Sequence, residues 1–130
     1  MKSGTPRSRL LLIDDHPGVL ETIERLLGHR FNVVGVVADS RKAISVANDL
    51  CPDIIVLDIC MPEPNGIRIA HALRESGCNA KVIFLTVQED QDYIDAALRT
   101  GAQGYVLKRR MQPDLLDAID LVLAGKRFIR

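Results

Sequence analysis

Apolar positions follow two rhythms along this chain. Five short runs are apolar almost without a break: LLLI from Leu10, FNVVGVV from Phe31, IIVL from Ile54, KVIFL from Lys81 and GYVL from Gly104. Between them the apolar residues recur at the three-to-four spacing of a helix with one buried face. Val19, Leu20, Ile23, Leu26 and Leu27 make the first such stripe, with Pro17 near its start and Gly28 at its end, the usual asymmetry of helix punctuation. The second carries Ala43, Ile44, Ala47 and Leu50; Asp39 or Ser40 is placed to cap it, and it stops before Pro52. Asn65 and Gly77 bracket the third, built on Ile67, Ala70 and Leu73. The fourth, from about Asp90 to Thr100, turns Ile94, Ala97 and Leu98 inward and closes at Gly101. The last opens at Pro113, ends at Gly125 and aligns Leu115, Leu116, Ile119, Val122 and Leu123.

Strands that are apolar throughout, rather than alternating, are buried on both faces, as in a parallel sheet between two helix layers. The pattern therefore predicts an α/β fold, a doubly wound parallel sheet of (βα)5 type. Right-handed crossovers leave few topologies, and the flavodoxin-like strand order 2-1-3-4-5 is the expected one. Residues 1–8 read as a flexible tail, 9–125 as one domain, and 126–130 as a C-terminal tail or the start of a linker to an output domain absent from this chain.

A chain of 130 residues, 47% hydrophobic and 26% charged, forms one core without help from disulfides or structural metal. Basic and acidic residues balance at 17 each, so no global field draws nucleic acid or an anionic membrane. Cys51, Cys60 and Cys78 are odd in number and form no CxxC, which points to a reducing, cytoplasmic setting. No apolar run reaches the length of a membrane span.

In open α/β sheets the functional crevice lies beyond the carboxyl ends of the strands. The first run ends on Asp14 and Asp15, the third on Asp58, the fourth on Thr86 and the fifth on Lys108. In the expected strand order these side chains converge. Three carboxylates against one ammonium leave an excess of negative charge in a partly desolvated cleft, and a hard divalent cation answers it. Mg²⁺, with its preference for carboxylates, waters and phosphate oxygens, fits that role. Beside such a cation a carboxylate can attack phosphorus, with Lys108 and Thr86 binding the phosphoryl oxygens.

LLLIDDHP, IIVLDICMPEPNG, VIFLT and GAQGYVLK together resemble the receiver domain of two-component response regulators, from Arg9 onward. DDHPGV and GAQGYVLKRRMQPDLLDAIDLVLAGKRFI further resemble the NarL/FixJ subfamily, whose members usually carry a C-terminal helix-turn-helix. The resemblance implies that Asp58 is the phosphoacceptor. It also implies that Asp15 and the backbone carbonyl of Cys60 bind Mg²⁺ with Asp58, and that Asp14 supports the metal through water. Thr86 and Lys108 would hold the phosphoryl group, and Tyr105 would be the switch aromatic that turns inward as Thr86 moves. A sensor histidine kinase is the implied donor and a phosphorylation-dependent homodimer an implied product. DNA would be reached only through the absent domain, and no membrane is involved. Such a chain is a switch rather than an enzyme. Two positions depart from the family pattern: Val87, larger than the residue many members carry after the Thr, and Arg109, where many carry a cis Pro.

Other readings make different demands. Asp14, Asp15 and Asp58 are also plain helix-capping loop acids, and Tyr105 an ordinary core aromatic. His16, beside the acids, reads as an exposed turn residue; His29 and His71 have no visible partner. A Mg²⁺-dependent phosphatase or phosphotransferase of the haloacid-dehalogenase type needs a second Asp two residues after the first, where Cys60 stands. A flavodoxin would need its FMN phosphate to tolerate acidic strand tips. A receiver-like interaction module that is never phosphorylated would have no use for all of the polar strand ends.

Overall fold

A computed structural model of the chain describes residues 7–27 and 30–129. The elements run β1 (Arg9–Ile13), α1 (Pro17–Leu27), β2 (Asn32–Val37), α2 (Ala43–Leu50), β3 (Ile54–Leu57), α3 (Gly66–Glu75), β4 (Lys81–Thr86), α4 (Gln91–Arg99), β5 (Gly104–Leu107), α5 (Met111–Leu123) and β6 (Phe128–Ile129). All strands are parallel in the order β2-β1-β3-β4-β5-β6. The predicted flavodoxin-like arrangement is thus present, with one strand more than expected. Phe128 and Ile129, within the span read as a tail, pair with Gly104 and Tyr105 and lengthen the sheet at its β5 edge. The predicted tail over residues 1–8 falls mostly outside the described residues, as do Gly28 and His29.

The strand residues divide between two cores by simple alternation. Leu11, Ile13, Ile55, Leu57, Phe84 and Tyr105 face α2, α3 and α4; Leu10, Leu12, Ile54, Val56, Ile83, Leu85 and Val106 face α1 and α5. This is why the runs carry no polar beat. Helix ends follow sequence chemistry closely. Asn65 accepts a hydrogen bond from the Arg68 amide at 3.0 Å and caps α3, and Asp39 does the same for Arg41 at the head of a single 3-10 turn before α2. A second 3-10 turn, Lys108–Arg110, precedes α5, so that helix starts two residues before Pro113, which occupies a first-turn position where its missing N–H costs nothing. α4 departs most from its prediction: Ala97 alone is buried, while Ile94 and Leu98 are only half-buried.

Strand register sets the site. Ile13 stands opposite Leu57, and the next amide on each strand continues the ladder, Asp58 N–H to Ile13 O at 2.9 Å and Asp14 N–H to Val37 O at 3.0 Å. Asp14 and Asp58 therefore leave the sheet side by side. Thr86 pairs with Leu107, the residue before Lys108, at the same end of the neighbouring strands.

Candidate functional site: an acidic crevice at the strand ends

The crevice begins where β1 and β3 run out of sheet. Asp14 and Asp58 are 3% and 2% exposed, burial that carboxylates rarely tolerate without partners. Lys108 supplies part of the compensation: its Nζ lies 2.9 Å from Asp14 Oδ2 and 3.4 Å from Asp58 Oδ2. The Cys60 amide donates to Asp58 Oδ1 at 3.1 Å. Even so, burial pushes the Asp58 carboxyl above the usual carboxylate range, Asp14 adds to that rise, and Lys108 and the Cys60 N–H oppose it. Lys108 meets Asp14 Oδ2 as a close charge without hydrogen-bond alignment. That oxygen and Asp15 Oδ1 are the buried side-chain oxygens left without a hydrogen bond among the described residues.

The loop after β3 is folded tightly enough to exclude any side chain at one point. Gly66 and Met61 both donate to Ile59 O, at 2.9 and 3.0 Å, and a Cβ on Gly66 would lie 2.1 Å from the Asp58 carbonyl oxygen. The Asn-Gly pair of the motif thus caps α3 and lets its first turn press against the backbone of Asp58. Among the described residues the cis peptide bond is Glu63–Pro64, so Lys108–Arg109 is trans.

Every predicted site residue comes to this end of the sheet, but they form two groups. Asp14, Asp15, Asp58 and Lys108 are in mutual reach. Thr86 and Tyr105 belong instead to a network around Gln88. The Thr86 hydroxyl, fully buried, accepts from the Gln88 amide at 3.2 Å, and the buried Tyr105 hydroxyl donates to Gln88 O at 2.7 Å. Burial pushes the Tyr105 phenol up to about 12. Gln88 Nε2 reaches Cys60 Sγ at 3.1 Å and so ties the loop after β4 to the loop that carries Asp58. Sequence reasoning passed over Gln88, because nothing in its type marks it; only its place two residues after Thr86 is suggestive. Val87 between them is 62% exposed. Arg109 forms a bidentate pair with Glu89, at 2.9 and 3.0 Å, across the same loop, and its guanidinium holds the Glu89 carboxyl below the usual range. His16 is exposed as expected, yet its Nδ1 faces the acids at 3.1 Å from Asp14 Oδ1 and 3.4 Å from Asp15 Oδ1. The cavity of about 340 Å³ lined by Arg74, Lys81 and Gln103 lies at the opposite, amino-terminal end of the strands.

A doubly wound parallel sheet with paired acids after β1, an acid after β3, a threonine after β4 and a lysine after β5 is the arrangement of a two-component signalling receiver. Residues 10–120 match the response regulator receiver domain, and the chain belongs to that family, in its NarL-like branch. It is similar to the nitrate/nitrite response regulator protein NarL of Escherichia coli strain K12, 34% identical over 92% of this chain and 56% of that protein. It is also similar to the transcriptional regulatory protein DegU of Brevibacillus brevis, 32% identical over 93% of this chain and 52% of that protein. The chain thus spans about half the length of these curated relatives. Among solved structures, the isolated receiver domain of RcsB from Salmonella enterica serovar Typhimurium, determined with the phosphomimetic BeF3-, superposes with a TM-score of 0.88 at 28% identity, over 95% of this chain and 94% of that one. No helix of the described residues is long and apolar enough to cross a membrane.

Proposed function

We propose that this chain is a phosphorylation-controlled receiver in which Asp58 accepts a phosphoryl group from a phosphohistidine of a sensor histidine kinase. The observation that carries the reading is the setting of Asp58: a carboxylate 2% exposed at the floor of the crevice, with one oxygen held by the Cys60 amide and the other facing Lys108. Receiver domains are switches, and the rest of the site is arranged for holding charge rather than for turnover.

The donor set fits Mg²⁺, because two buried carboxylate oxygens lack hydrogen bonds and the acids bring ligand atoms within 4.8 Å of one another. Asp15, Asp58 and the backbone carbonyl of Cys60 would hold the ion, with Asp14 supporting it through water. When bound it neutralises the acids and the transferring phosphoryl oxygens. The chain does the rest. An Asp58 carboxylate oxygen forms the new O–P bond while the P–N bond to the donor imidazole breaks, and the electron pair leaves on that nitrogen, which takes a proton from solvent. Lys108 shifts from the carboxylates to the new phosphoryl oxygens as a point charge. The Thr86 hydroxyl exchanges the Gln88 amide for a phosphoryl oxygen, which frees the loop that Tyr105 holds through Gln88 O.

The dianion favours whichever arrangement brings Thr86 and Lys108 to it, by no more than its differential affinity for that arrangement. The face from Gln88 through α4 to β5 then changes, and pairing of two chains or release of a DNA-binding output domain outside this chain follows. The similarity to DegU supports a transcriptional output. The test is incubation with acetyl phosphate and Mg²⁺ followed by intact-mass measurement. The expected gain is one base-labile phosphoryl group, absent from Asp58→Asn and reduced in Asp15→Ala; equal labelling of Asp58→Asn overturns the assignment.

A further inference from the structure

Arg109 stands where many receivers carry proline, and the chemistry at Asp58 gives it no task. It follows Lys108 on the 3-10 turn after β5, and that turn is anchored. The Met111 amide donates to Lys108 O, and Arg110 donates to both oxygens of Asp114, a carboxylate 4% exposed, at 3.0 and 3.4 Å. From this fixed base the Arg109 guanidinium takes both oxygens of Glu89, Nε to Oε2 at 3.0 Å and Nη2 to Oε1 at 2.9 Å. Glu89 lies in the loop that leads from Thr86, at the end of β4, into α4. Packing does not fix this loop, since Val87 is 62% exposed and Asp90 opens α4 without a side-chain cap. Its position is set by polar ties, and these pull in two directions.

The strand order says which way each tie pulls. β4 lies between β3, which leads to Asp58, and β5, which leads to Arg109. For Thr86 to bring its hydroxyl to a group on Asp58, the end of β4 and its loop must move towards β3. Gln88 Nε2, 3.1 Å from Cys60 Sγ, holds the loop on that side. The Tyr105 hydroxyl on Gln88 O at 2.7 Å and the Arg109 pair on Glu89 hold it on the other. A guanidinium paired through two bonds with a carboxylate is the strongest of these ties. We infer that Arg109 and Glu89 are a positioning pair that holds the loop, and Thr86 with it, back from Asp58, so that a phosphoryl group draws Thr86 in only by opening this clasp. This rests on the reading of Asp58 as the phosphoacceptor; what it adds is a counterforce, set by a residue the fold does not require. The phosphoryl group overcomes it by its differential affinity for the arrangement with Thr86 drawn in.

Beryllofluoride with Mg²⁺ stands in for the phosphoryl group on Asp58, and its apparent affinity is read from amide NMR spectra of the parent, Arg109→Gln, Glu89→Gln and the double variant. The clasp and a simple field effect predict different signs. Arg109→Gln removes a positive charge next to Lys108, which by itself weakens the binding of an anion, whereas Glu89→Gln removes a negative charge and by itself strengthens it. Release of the clasp strengthens binding in both. The expected result is a gain of about twofold in Arg109→Gln and about fivefold in Glu89→Gln, the scale of a well-aligned exposed ion pair with the charge effect subtracted from one and added to the other. The double variant should fall between the two, because a clasp can be opened only once; independent effects would multiply to about tenfold. Weaker binding in Arg109→Gln, or a double variant at the product of the singles, overturns the inference and leaves the pair as a surface contact. No binding of beryllofluoride by the parent, or equal binding by Asp58→Asn, overturns the phosphoacceptor reading beneath it.

Discussion

Replacing Gly66 by Ala tests the claim that the backbone of Asp58, the proposed phosphoacceptor, is held by contact with α3. The added Cβ would lie 2.1 Å from Asp58 O and 2.7 Å from Ile59 Cα. Ordinary C···O contacts begin at about 3.3 Å, so roughly 1 Å must be found. Both sides of the clash are backbone, and the Gly66 amide is bonded to Ile59 O at 2.9 Å, so no side-chain rotation relieves it. Overpacking of this kind costs about 2–3 kcal/mol, towards the upper end of the usual range. For a domain of this size that lowers the melting temperature by about 7–11 °C. The displaced backbone carries Asp58, whose carboxylate is the proposed phosphoacceptor, and a misplacement of that carboxylate by about 1 Å costs on the order of a hundredfold in rate. Thermal melts by circular dichroism and initial rates of labelling by acetyl phosphate at a temperature where both proteins are folded measure the two effects. Gly18→Ala is the control, since nothing lies within 4 Å of the added Cβ there. A Gly66→Ala protein with the melting point and labelling rate of the parent would refute the packing argument.

Asp58→Asn should be more stable than the parent at neutral pH, by on the order of 1–3 kcal/mol. The Asp58 carboxyl is raised above 3.8, so its folding contribution is complete below that value and is lost as pH rises through the folded pKa. The advantage of Asn should therefore shrink towards zero below about pH 4, and denaturant melts showing an advantage independent of pH would contradict the account. Tyr105→Phe removes the 2.7 Å bond to Gln88 O and should cost about 0.5–1.5 kcal/mol in the same assay, with faster amide exchange over residues 87–90. In alkaline ultraviolet titration, one of the two tyrosines should ionise only near 12 and be missing from Tyr105→Phe.

The strands were legible because residues buried on both faces leave an unbroken apolar run, and the acids because three of them close two such runs that the expected strand order makes neighbours. Helix caps were legible where one side chain does the work, as at Asn65. α4 was less so: its spacing is helical, but periodicity says which face turns inward and not how far it sinks. β6 escaped notice since Phe128 and Ile129 are too short a run to outweigh the charges before them, and their pairing depends on where α5 delivers the chain. Thr86 and Tyr105 lie on adjacent strands as their runs imply, but their shared partner Gln88 uses mostly backbone atoms, which sequence does not display. For His16 the residue type was ambiguous, and the direction of its ring follows from Asp14 and Pro17 acting on its backbone.

The shallow seating of α4 bears on how quiet such a switch is at rest. With Ala97 buried and Ile94 half-buried, the apolar hold on this helix amounts to about 1–3 kcal/mol. A gap of that size leaves a displaced position populated at up to about 10% before any phosphate arrives. On the proposed reading, basal output is then built in: a signalling arm hung on α4 would leak in proportion to that minor population, and phosphate would multiply an activity already present instead of creating one from nothing.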